Sequence, residues 1–114
     1  MKEINGLKFD VTLRVLYKVK EAQGHKTLNE TYKYLGEINE NLDLVIDVML
    51  ISYNIANKTS LTEDEFHEIL SEKHIGFLKL GVIYGELLDT LLMDGLTDEE
   101  RKNIMTQAEK LNMK

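Results

Sequence analysis

Cysteine and proline are both missing from this 114-residue chain. The first absence removes any disulfide framework, any thiol nucleophile and any zinc site of the usual cysteine type, and makes a reducing cytoplasm the default setting. The second means that no helix is kinked or stopped by proline, so breaks fall to seven glycines and to Asn and Ser clusters. Long uninterrupted apolar runs are missing as well. The longest, Leu42 to Ala56, is broken by Asp43 and Asp47 and is too polar to span a bilayer. Nothing at the N-terminus resembles a signal peptide, so a soluble protein with no membrane contact is expected.

Positive charge is scarce in one region only. The chain holds 14 Lys and Arg against 20 Asp and Glu, a net charge of -6. From Met1 to Gly36 there are seven bases and four acids; from Glu37 to Glu100, three and fifteen; from Arg101 to Lys114, four and one. An acidic middle repels a phosphate backbone, and weakly basic ends do not form the concentrated patch that nucleic-acid binding needs. At this length one domain, residues 1–114, can bury a core without metal or disulfide staples.

What is present is helical periodicity. In Leu42 to Ala56, residues Leu42, Val45, Ile46, Met49, Tyr53 and Ala56 make one stripe, and Leu44, Val48, Ile51 and Ile55 make a second about 100° away, with Asp43, Asp47 and Asn54 as a wet strip. A helix with two apolar faces needs cover from two sides, which predicts a bundle around it. Ile46→Asp is expected to unfold the domain, because it would put an unpaired charge on this helix.

At the N-terminus, Leu7, Phe9, Val11, Leu13 and Val15 alternate with period two, while Leu13, Leu16, Tyr17 and Val19 begin a helical spacing. Residues 1–11 are predicted to be an extended arm or a hairpin turning at Asn5-Gly6, followed by a helix capped by Asp10 or Thr12 and ended by Gly24. Capping boxes at Thr27 with Glu30, Ser60 with Glu63, Thr62 with Glu65 and Thr97 with Glu100 announce further helices. The first of these carries Leu28, Tyr32 and Leu35 before Gly36. The next runs to about Lys73 with Phe66, Ile69 and Leu70 inward. Phe77 to Met93 then forms a second long apolar helix with Phe77, Leu80, Tyr84, Leu87, Leu88 and Leu91 as its stripe, stopped by Gly95. The last segment, 97–114, has a thin stripe of Ile104, Met105, Ala108 and Leu111 and is predicted to be a loosely docked helix. The fold class is therefore mainly all-α: a compact bundle of about five to six helices around a central apolar helix, with a short N-terminal extended segment or hairpin. Gly81 and Gly85 sit four apart in the second long helix, where each costs up to about 1 kcal/mol relative to alanine. Close helix approach is the expected gain, against the central helix or in a groove for a partner.

Catalytic and metal motifs are not found. His67 and His74 fall on either side of a predicted helix end, without metal-ligand spacing. Asp94-Gly95-Leu96-Thr97-Asp98 lacks the alternating oxygen ligands of a calcium loop. Asp43 and Asp47 are one turn apart, either a carboxylate pair or a solvated strip. No Gly-rich phosphate loop and no Ser-His-Asp order occurs. The expectation is a protein that works by contact, with no enzymatic activity, no cofactor and no metal.

Ile4, Asn5, Gly6, Leu7, Lys8 and Phe9 followed by Leu13 to Lys18 resemble the start of the small tail assembly chaperones of long-tailed bacteriophages and Gram-positive prophages. The layout from Ile4 to about Met93 is similar too: a leading segment and helix, a long apolar central helix, a short acidic helix and a final apolar one. The resemblance implies binding to the tape measure protein, shielding its apolar helices and helping to recruit tail tube protein during tail assembly. It also implies a place in the bacterial host cytoplasm, absence from the mature virion, and often a longer frameshifted product. Phe9, Val11, Gly81, Tyr84, Gly85 and Leu88 are the candidates for a partner-facing groove. The basic ends and acidic middle suggest a homo-oligomer, a ring or spiral in which Arg14, Lys18, Arg101 or Lys102 of one copy meets Glu63, Asp64 or Glu68 of the next. The alternative reading is a small helical regulator or adaptor. Its helix-turn-helix version, using Thr62 to Lys73 and Phe77 to Met93, is disfavoured by an acidic first helix and an apolar second one.

Overall fold

A computed structural model describes residues 1–93. The chain begins with a hairpin, β1 (Lys2–Ile4) and β2 (Leu7–Phe9), antiparallel with Ile4 opposite Leu7 and Lys2 opposite Phe9. Asn5 and Gly6 supply the two positive φ angles, 52° and 81°, that a two-residue turn of this hand requires. The period-two pattern is obeyed: Ile4, Leu7 and Phe9 point into the core and Lys8 points out.

A hairpin this small is marginal alone. Here it is fastened to the central helix, α3 (Leu42–Asn57). The Asp10 amide donates to the Ser52 carbonyl at 3.1 Å, the Ser52 hydroxyl donates to the Asp10 carbonyl at 2.8 Å, and the Asn57 side-chain amide donates to the Lys8 carbonyl at 3.1 Å. The Asp10 carboxylate, buried itself, accepts from the Thr12 backbone and hydroxyl and from the Arg14 guanidinium at 2.9 Å. Burial raises its pKa, but the bonds from Thr12 and the charge of Arg14 outweigh that, so the carboxyl titrates below its ordinary value.

α1 (Leu13–Gln23) is capped by Thr12 and closed by Gly24 in the left-handed region at φ 69°. The amide of His25 reaches back to the Lys20 carbonyl and that of Gly24 to the Glu21 carbonyl, the paired bonds of a Schellman motif. Its inner face is Val15, Leu16 and Val19, whereas Leu13 and Tyr17, both expected inside, are more than half exposed. α2 (Leu28–Glu37) starts at Thr27, whose hydroxyl accepts from the Glu30 amide. Glu30 returns the bond to Lys26 and not to Thr27, so the expected box is displaced by one residue. The joint expected over Gly36 to Asn41 begins after Gly36, which is itself helical. The chain continues through Glu37 into a 3-10 turn, Ile38–Glu40, and the break comes at Asn41, whose side chain caps α3. Thr31 and Leu35 face inward and Tyr32 does not.

α3 buries Val45, Val48, Met49, Ser52 and Ala56, and its other apolar residues are half-buried flanks. The two expected stripes are thus one closed face with shoulders. Ile46 is on a shoulder, half-buried, so an aspartate there would reach water, and the charge-burial argument belongs to Met49 instead. Asn54, expected on a wet strip, holds the following loop: its side chain donates to the Leu61 carbonyl and accepts from the Leu61 amide and the Thr59 hydroxyl.

α4 (Glu63–Glu72) begins with a complete capping box between Thr62 and Glu65, and the competing Ser60 start is not used. Phe66 and Leu70 are its buried residues, and the Phe66, Tyr53 and Phe9 rings form a chain from α4 across α3 to the hairpin. His74, at φ 56°, ends α4. α5 (Phe77–Met93) then crosses the core with Leu80, Ile83, Tyr84, Leu87 and Leu91 buried. The fold is mainly helical with a two-stranded N-terminal hairpin, and five α-helices lie among the described residues. The predicted helix at 97–114 lies outside them.

Candidate functional site

Three large apolar side chains stand out at the start of α5: Phe77 is 76% exposed, Leu78 84% and Val82 63%. At about 3.6 residues per turn, Phe77, Gly81, Gly85, Leu78 and Val82 follow one another around the side of the helix opposite Ile83 and Leu87. A methyl group added at Gly81 or Gly85 would meet nothing within 4 Å. The glycines therefore do not serve a close approach between α5 and α3; they leave the outer face of α5 low and open. This is a correction to one expectation and leaves the other, a surface for a partner, in place.

Beside this face lies an open groove of about 510 Å³ between the start of α3, the second half of α4 and the start of α5. Its floor is apolar, made by Leu42, Ile46, Leu70, Ile75 and Leu80, and Phe77 forms the edge shared with the outer face. Asp43, His67 and Ser71 are its polar lining. Among the described residues Asp43 is the lone carboxylate there, and no lysine or arginine lines it. His67 lies 4.0 Å from Glu63, one turn back on α4, an exposed pair of little energetic weight. A second, smaller hollow of about 390 Å³ is lined by Lys18, Ile51, Ile55 and Leu61, with Asn54 already committed to the loop.

The residues chosen from the sequence are not brought together as a groove. Phe9, Val11 and Tyr84 are buried in the core. Phe9 packs edge-on against Tyr53 at 6.3 Å. The Tyr84 hydroxyl donates to the Leu35 carbonyl at 2.8 Å, one of the last-turn carbonyls of α2, and burial with the neighbouring Tyr34 raises its pKa well above the ordinary value. Leu88 is half-buried against the core, and only Gly81 and Gly85 reach the outer face. The residues missed are Leu78 and Val82, while Phe77 is expected in the inner stripe although it is exposed, and Asp43 is singled out only as a partner of Asp47. A signal was available: Phe77 and Leu78 are adjacent, and consecutive helical residues point about 100° apart, so both could not join a core that Leu80, Ile83 and Leu87 already fill.

Among the described residues no group of three or more His, Asp or Glu could hold a metal ion. His25 is half-buried, its Nδ1 3.0 Å from the Thr31 hydroxyl and its ring edge-on to Tyr34. Asp43 is exposed in the groove wall, while Asp47 is half-buried and its charge adds to burial in raising the Tyr34 pKa. The two carboxylates one turn apart therefore occupy different environments. α5 carries one base, Lys79, against the exposed Glu86 and Asp89. No helix among the described residues is long and apolar enough to cross a membrane.

Compared with known proteins, the chain matches no family model, no curated protein and no solved structure.

Proposed function

We propose that this protein is a phage tail assembly chaperone that binds the tape measure protein and helps recruit tail tube protein. The observation that carries the reading is the apolar start of α5, where Phe77, Leu78 and Val82 remain in water beside an apolar-floored groove. Apolar side chains clustered on a surface in this way mark sites of protein contact. A tape measure protein is long, helical and apolar, and its carrier needs a surface for apolar helices without any catalytic group, which is the helix-in-groove mode of recognition. The likeness of Ile4 to Phe9 and of the helix order to that family supports the same reading.

The test is co-expression with the tape measure protein encoded in the same genome. The wild type should hold it in solution, and Gly85→Leu should abolish that by raising a side chain on the outer face, where the structure leaves room for it without disturbing the core. An unrelated acidic helical protein should fail. A wild type that leaves the tape measure protein insoluble and binds neither it nor tail tube protein sinks the assignment in favour of an adaptor role.

A further inference from the structure

The groove has a chemistry more specific than an apolar patch, and its charge distribution selects among guests. We infer that it takes an amphipathic helix whose apolar anchors are flanked by lysine or arginine, the anchors seating on Ile46, Leu70 and Leu80 and the cation meeting Asp43. This rests on the reading that the α5 side is where a partner docks, and adds what that partner must carry.

Shape favours a helix. The groove opens past Phe77 onto the outer face of α5, where Gly81 and Gly85 leave no side chain in the way. A helix about 10–12 Å across can lie along such a surface. The floor, built from aliphatic side chains alone, rewards aliphatic or aromatic anchors at the i, i+3, i+4 spacing.

Charge then decides the polar positions. Asp43 stands exposed in the wall, and among the described residues no lysine or arginine of the lining answers it. His67 of the lining has Glu63 4.0 Å away on α4, and on the outer face of α5 Asp89 falls between Leu78 and Val82 around the helix, with Lys79 beside Glu86 at its margin. An acidic guest meets like charge at Asp43 and at Asp89, and a basic one meets opposite charge at both. The same pattern argues against a second copy as occupant, because its own α5 face would set Glu86 and Asp89 against these acids.

Two synthetic helical peptides with identical Leu/Phe faces, one with lysine and one with glutamate at the polar positions, distinguish the possibilities. Both are titrated into the full-length protein and followed by fluorescence anisotropy. The lysine peptide should bind about tenfold or more tightly than the glutamate peptide at low salt, the margin shrinking as salt is added. Asp43→Lys should remove most of that preference. Glu21→Lys, an exposed acid on α1 with the same change in net charge, should leave it. Phe77→Ala should weaken both peptides. Equal binding of the two peptides, an equal effect of Glu21→Lys, or no binding at all overturns the inference, as does a dimer in light scattering that Phe77→Ala dissolves. The outcome separates from that of co-expression: charge-selective peptide binding with an insoluble tape measure protein removes the chaperone role and keeps the groove, and the reverse removes the groove chemistry alone.

Discussion

α3 and α5 are the two long apolar helices of this chain, sixteen and seventeen residues, and both show apolar residues on nearly every side. They are used differently. α3 has the hairpin, α1, α4 and α5 packed around it, and none of its large apolar residues is among the exposed ones. α5 touches α3, α2 and β1 along Leu80, Ile83, Tyr84, Leu87 and Leu91, and keeps Phe77, Leu78 and Val82 in water. Two helices of similar apolarity thus divide into one that closes the core and one that closes it with half of its surface. Apolar content measures what a helix can bury, and the neighbours decide how much of it is buried.

That contrast can be broken most decisively at Met49, which is fully buried on α3. Met49→Asp should unfold the domain, read as loss of the helical circular dichroism signal. An unpaired buried charge costs several kcal/mol, against a total stability of roughly 5–15 kcal/mol. A folded variant would mean that α3 is not the core.

The Asp10 cluster comes next. Because the folded carboxyl titrates below its unfolded value of about 3.9, its contribution is present above that pH and is lost as pH falls through the folded value. Asp10→Asn should lower stability at neutral pH by about 1–3 kcal/mol, since a charged, buried acceptor is lost, and should flatten the acid limb of the stability curve. An unchanged acid limb in urea titrations would refute this.

The two tyrosines sharpen the comparison at smaller scale. Tyr84→Phe leaves the buried Leu35 carbonyl without its donor and should cost about 1–2 kcal/mol. Tyr34→Phe removes a buried hydroxyl that has no hydrogen-bond partner among the described residues and should be neutral or slightly stabilising in thermal melts. Both phenols are raised by burial, so both should contribute to loss of stability above about pH 10, where the unfolded tyrosines ionise first. At the small end, Leu78→Lys and Val82→Lys on the outer face of α5 should change stability by no more than about 0.5 kcal/mol. A larger loss would show that this face is covered in the protein itself.

Local devices were legible in the sequence because they need only neighbours along the chain. The Asn5-Gly6 turn, the Thr12, Thr27 and Thr62 caps and the Gly24 ending all appear where their residue types put them. The joint between α2 and α3, expected over Gly36 to Asn41, falls at Ile38 to Asn41, because glycine tolerates helical φ and the helix runs through Gly36 to Glu37. The candidate surface was less legible. Phe9, Val11 and Tyr84 are apolar residues whose orientation depends on Ser52, Tyr53 and Leu35, distant in sequence. Polar residues with structural duties, Asp10 and Asn54, look the same in a sequence as solvated ones.

The bond from the Ser52 hydroxyl to the Asp10 carbonyl joins residues 42 positions apart. It sets an order of events during synthesis. The hairpin leaves the ribosome before the helices, yet the surface that holds it is α3, which emerges after α1 and α2. Until then the hairpin is too small to persist. Helix pairs close early because their loops are short, whereas the N-terminus waits for a long loop to close. Mutations at Phe9 should accordingly speed unfolding and leave the folding rate nearly unchanged. The hairpin is therefore sealed into the core only after the middle of the chain has been made.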